Sequence, residues 1–144
     1  MAYAKERFKI RGLLYKSIMV AGTLCINADV VKKAGANASA VSVATTYTDV
    51  CILEAEGKIC LDTRYDWVTN YASVSTIGKE ILREAVSCLS AIDVINYDMS
   101  GFTSRQEALI MVNILWARYA DIVAKIVKDN KYKEFILSGA GDID

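Results

Sequence analysis

The chain has 144 residues, 53% of them hydrophobic and 24% charged, the make-up of one globular domain that buries roughly two-thirds of the surface its unfolded chain would expose. Its 17 basic and 17 acidic residues cancel, so the excess positive charge that supplies non-specific affinity for nucleic acid is missing. Histidine is absent, which removes the usual general base, the Ser-His-Asp and Cys-His arrangements and the commonest metal ligand. With no proline and only eight glycines, nothing forces breaks in long helices, and a mainly α fold is expected.

Lys5, Arg7, Lys9 and Arg11 alternate with Phe8 and Ile10, the period of two of a half-buried strand with one basic face. Such a face is accounted for by solvated charges on an edge strand, or by a cationic arm on an acidic partner or on phosphates. Leu13 to Leu24 can supply a second strand, turned at Ala21-Gly22, so residues 1–26 are expected to form a β-ribbon or extended arm. A two-stranded ribbon is marginal alone and has to pack on the helices or on a neighbouring subunit. The same region has a superficial likeness to a secretory signal. Lys16 interrupts its apolar run, however, and Leu24 before Cys25 is too large for a lipoprotein cleavage site. No apolar run approaches the ~20 residues of a membrane span, so no membrane association is expected.

The bundle proper is expected over residues 27–129. Asn27 caps a short helix from Ala28 to about Ala34, closed by Gly35, with Lys32 and Lys33 in its last turn. A longer helix follows from about Thr46 to Thr63, with Thr46 and Asp49 as capping groups and Glu54 placed to pair with Lys58. Ile52, Ala55 and Ile59 lie on one side of it, and Tyr47, Val50, Leu53 and Leu61 cover much of the other. A helix apolar on two sides belongs between layers or against a neighbouring subunit, which makes Ile52 and Ile59 candidates for a subunit contact.

Ser75 or Thr76 begins the cleanest helix, running to about Tyr97. Ile77, Ile81, Ala85, Cys88, Leu89, Ile92 and Ile95 form its apolar stripe, with Lys79, Arg83, Ser87 and Ser90 expected in solvent. Ser100 and Gly101 break it, and Thr103 or Ser104 with Gln106 or Glu107 starts the next helix by reciprocal capping, giving a long αα-hairpin.

That second arm runs from Ser104 to about Asp129, and Ala108, Val112, Leu115, Trp116, Tyr119, Ile122, Val123 and Ile126 share its core face. Ile110 and Ile114 point away from this core. With Met111 they are the leading subunit-interface candidates, unless the chain's own N-terminal ribbon covers them. A last helix from Lys131 to Ser138 ends at Gly139 before an acidic tail, so residues 130–144 make a C-terminal helix and tail that folds back on the domain or docks on a partner.

Side chains that carry chemistry are not grouped. Glu54, Glu56, Glu80, Glu84 and Glu107 fall at helical spacings typical of a solvated surface, with no isolated catalytic pair. Asp98 is expected to cap backbone N–H groups of its loop. Cys25, Cys51, Cys60 and Cys88 form no C-x-x-C pair and read as buried thiols, and Trp67 and Trp116 read as core aromatics. No phosphate-binding glycine loop is present; Gly35, Gly101 and Gly139 each follow a helix, where left-handed backbone favours glycine. No enzymatic activity, metal or cofactor is expected.

From about Val41 to Ile136 the sequence resembles the head-to-tail adaptor (connector, head-completion) proteins of tailed bacteriophages. The likeness lies in YTDVCILEAEGKICLDTRYDW, from Tyr47, and in LREAVSCLSAIDVINYDMSGFTSRQEALIMVNILWARY, from Leu82. The resemblance implies a small helical bundle, made in the host cytoplasm and built into the virion as a homo-oligomeric ring, often of twelve copies, under the portal. Such a ring extends the DNA channel, with duplex DNA passing through without sequence-specific binding, and meets the next tail component. The C-terminal segment, with Lys131, Tyr132, Phe135 and Ile136, would dock on the portal protein. No cofactor and no chemistry are implied.

The rival expectation is a small helical DNA-binding regulator using the hairpin at Tyr97 to Arg105 as a helix-turn-helix. Its turn is longer than the usual three or four residues, and its recognition helix would open on Ala108, Leu109, Ile110 and Met111, a poor reader of a groove.

Overall fold

The computed structural model describes residues 22–139. The basic positions Lys5, Arg7, Lys9 and Arg11, nearly all of the expected ribbon, and the acidic tail lie outside them. The described residues are mainly helical, with α1 (Asn27–Ala34), α2 (Thr45–Thr63), a 3-10 turn (Tyr71–Ser73), α3 (Thr76–Tyr97), α4 (Arg105–Lys128) and α5 (Asn130–Ser138).

The two arms of the hairpin start where local chemistry dictates. Ser75 Oγ accepts from the Gly78 N–H to open α3, and Ser104 Oγ accepts from the Glu107 N–H to open α4. Glu107 reaches back to the N–H of Thr103 at 3.1 Å, so the reciprocal pattern closes one residue earlier than a strict capping box. Asp98 accepts from the Ser100 N–H at 2.9 Å, the turn contact expected of it.

The centre of the bundle is α3, not α2. It packs on α1, α2, α4 and α5, and from Ala85 to Ala91 every side chain is buried. Ser87 and Ser90, expected in solvent, are among them. Their hydroxyls donate to the carbonyls of Glu84 and Val86 in their own helix, so the small side chains satisfy themselves and let neighbouring helices approach. Each large apolar side chain buried here, such as Leu82 or Ile95, contributes about 1.5–3 kcal/mol.

Helix α2 buries one side only. Cys51, Ile52, Ala55, Glu56 and Ile59 face the core, while Val50 and Leu61 are exposed. Its expected caps are not used, because Ala44 occupies the N-cap, and Lys58 pairs with Asp62 at 3.1 Å rather than with Glu54. In α1 the N-cap is Ile26, whose N–H is held by the Asp29 carboxylate. Asn27 instead donates to Asp49 at 2.7 Å and accepts from Thr48, joining α1 to α2.

Glu56, expected on the surface, is buried and accepts from the Leu24 N–H at 2.6 Å. Gly101 has no left-handed backbone; it is needed because the Asn37 carbonyl lies where a β-carbon would stand.

Candidate functional site

An apolar surface feature grows out of the two-sided character of α4. Ala108, Leu115, Tyr119 and Ile126 are buried, with Val112, Ile122 and Val123 half-buried beside them. At 100° per residue the remaining positions face outward, and between residues 109 and 117 they are apolar except for Asn113. Leu109 is 42%, Ile110 53%, Ile114 49% and Trp116 47% exposed. Trp116 was expected in the core. Its position on the wheel is marginal, and it leans its ring on Tyr119, centroids 5.7 Å apart, with the other side open. Met111 is half-buried. Leu109 with Trp116 and Ile110 with Ile114 form two exposed apolar pairs on either side of Asn113 and Ala117, the kind of surface that marks an interaction site.

The inner side of α4 is fastened at its middle. Tyr119 donates to Asp62 at 2.7 Å, tying α4 to the end of α2. Burial pushes the Tyr119 hydroxyl far up, helped by the Asp62 carboxylate. Burial works against the Asp62 anion, but hydrogen bonds from Tyr119 and Lys58 hold its carboxyl below the usual range.

Beside the patch a cleft of about 520 Å³ opens between α1, α3 and α4, with Met111, Ile114 and Leu115 as its apolar wall. All of its charged side chains but Lys32 are ion-paired within the chain. Glu84 pairs with Lys33 and, at 3.9 Å, with Arg118, while Arg83 lies between Asp29 at 3.8 Å and Glu80 at 3.2 Å. Burial opposes the Glu84 charge, yet the Lys33 ammonium holds its pKa below normal. Among the described residues no buried polar side-chain atom lacks a partner, and no group of acidic or cysteine side chains is placed to hold a metal. All four cysteines are free thiols. Burial raises Cys25 to about 12 and Cys51 and Cys88 to about 11, which keeps those three protonated and unreactive.

The other candidate residues divide. Ile52 and Ile59 are fully buried in the chain's own core, so they offer nothing to a neighbour and leave the interface set. Sequence periodicity shows that α2 has two apolar sides but not which of them faces inward. The exposed side carries Val50 and Leu61, which sequence places on the second apolar side without marking them as interface candidates. Helix α5 folds back on the domain. The Ile136 side chain is buried, and its carbonyl accepts from both Ser75 N, at 3.1 Å, and Ser75 Oγ, at 2.8 Å. Ile136 is therefore a packing residue and not free for docking, whereas Lys131 is exposed and Tyr132 and Phe135 line a small groove of about 220 Å³ between α3, α4 and α5.

The first turn of α4 offers Arg105 as its only basic residue, followed by the exposed Leu109 and Ile110. Among the described residues no helix is long and apolar enough to cross a membrane. The fold and the site together define a small helical bundle that presents an apolar helix face. No protein-family model, characterised protein or solved structure matches this chain.

Proposed function

We propose that the chain is a structural virion protein of a tailed bacteriophage, forming a ring that joins the portal to the tail and extends the DNA channel. The outward face of α4 carries this reading: Leu109, Ile110, Ile114 and Trp116 are exposed in a chain whose core is already closed by other residues. Burying that face against another copy removes apolar surface from water, and repeating the contact around a closed ring satisfies every copy equally. The resemblance between Val41 and Ile136 supplies the biological setting. A chain of zero formal charge suits a channel through which duplex DNA slides without being gripped. On this reading Lys131, Tyr132 and Phe135 are the residues of α5 left to meet the portal, and the protein needs no cofactor.

Electron micrographs of the purified full-length protein test the proposal. Closed rings of high cyclic symmetry, often of twelve copies in the family it resembles, are the expected result. A dimer with tight, salt-dependent affinity for duplex DNA would replace this reading with the regulator.

A further inference from the structure

We infer that the apolar face of α4 in one copy packs against the outward face of α2 in the next, a head-to-tail contact between two unlike patches. This rests on the ring reading above and specifies its interface.

The α2 patch is built like its counterpart. Val50 and Leu61 are 39% and 76% exposed, and at 100° per residue the half-buried Leu53 and the exposed Gly57 lie between them on the same outward side. Apart from its own chain neighbours and the backbone of α2, nothing lies within 4 Å of where a β-carbon on Gly57 would stand, so α2 presents a bare stretch of backbone in the middle of its apolar face. A second helix can lie closely against such a notch. Residues 50–61 extend over about 16 Å and residues 109–117 over about 12 Å at helical rise, so the α4 patch fits within the length of the α2 face. Both helices pack on α3 and also touch each other, and each keeps large apolar side chains exposed on its outer side.

Charge complementarity selects the pairing. Glu54 lies one turn after Val50 at the edge of the α2 patch, and Arg105 lies one turn before Leu109 at the edge of the α4 patch. Among the described residues neither has an ion-pair partner. The Glu54 charge is felt by its surroundings: burial, and then Glu54, raise the Asp93 carboxyl. An α4-on-α4 contact would leave the α2 face and Glu54 uncovered, whereas α2 on α4 covers both patches and brings unlike charges together. A contact between unlike patches leaves one of each free at the ends of any open chain, and only ring closure removes them.

Cross-linking of the full-length protein tests this. Leu61→Cys and Ile110→Cys change exposed side chains, and a short bismaleimide reads their proximity against the wild-type thiols as background. The expected result is a mixed dimer when the two single variants are combined, and a ladder of higher oligomers from the double variant. Glu54→Arg and Arg105→Glu should each lower the assembled fraction several-fold, and together restore it. Efficient self-cross-linking of Ile110→Cys alone overturns the pairing. An assembly of full mass with neither mixed cross-link nor charge-swap rescue also overturns it, and leaves the ring reading standing. A wild-type chain that stays at 15.8 kDa overturns both.

Discussion

The carbonyl oxygen of Ile136 occupies the place where a β-carbon on Gly78 would stand, so α5 rests directly on the backbone of α3. The contact is completed by Ser75, which both caps α3 and donates to that carbonyl. Gly78→Ala should therefore lower stability by about 1–3 kcal/mol, the usual cost of overpacking. Without the contact, the same substitution inside a helix would be stabilising by about 1 kcal/mol. Denaturant unfolding distinguishes the two by sign. Faster proteolysis at the α4–α5 junction, around Asp129, should accompany the loss.

The hydrogen bond from Tyr119 to Asp62 is the polar fastening between α4 and α2. Tyr119→Phe should cost about 2 kcal/mol, as for other bonds to a charged acceptor. Because the folded Asp62 carboxyl is held below its ordinary value of 3.8, its contribution is full above that pH and is lost as pH falls through the folded value. The stability gap between wild type and variant should accordingly narrow in acid. A gap that stays constant down to pH 2 would contradict this assignment.

Glu56 has the opposite sign. Burial raises its carboxyl above the ordinary 4.5, in spite of the N–H groups of Leu24 and Thr23 that favour the anion. The stabilisation it gives is therefore fullest below that pH and declines as pH rises through the folded value. Glu56→Ala leaves the Leu24 N–H without its acceptor and should cost about 1–3 kcal/mol. Unfolding at pH 4 and at pH 7 should show the larger difference at pH 4.

Thiol titration reads the core directly. Cys25, Cys51 and Cys88 are buried with raised pKa values, while Cys60 is half-buried. At pH 8 a disulfide-exchange reagent should modify Cys60 first, and the other three only after unfolding in denaturant. Rapid reaction of all four thiols in the native protein would mean that the core around α3 is open.

What the sequence disclosed follows the range of the interactions concerned. The starts of α3 and α4 were legible because Ser75 and Ser104 act on N–H groups three residues away. The outward direction of Ile110 and Ile114 was legible because helical periodicity is also local. Glu56 was not, since its partner Leu24 is 32 residues away and a carboxylate at helical spacing normally faces water. Ser87 and Ser90 count as polar on a helical wheel, yet they bond to their own helix and enter the core, so α3 is buried on a side that the wheel assigns to solvent. Ile52 and Ile59 were misplaced for a related reason: a helix with two apolar sides does not reveal from sequence which side is inside.

Assembly through the outward face of α4 is tested most directly by native mass spectrometry of the full-length protein beside Ile110→Asp combined with Ile114→Asp. A wild-type mass many times 15.8 kDa, falling to that of one chain in the double variant with helix content unchanged by circular dichroism, is the expected result. A wild-type monomer at high concentration, or a double variant that keeps the full assembled mass, would contradict it.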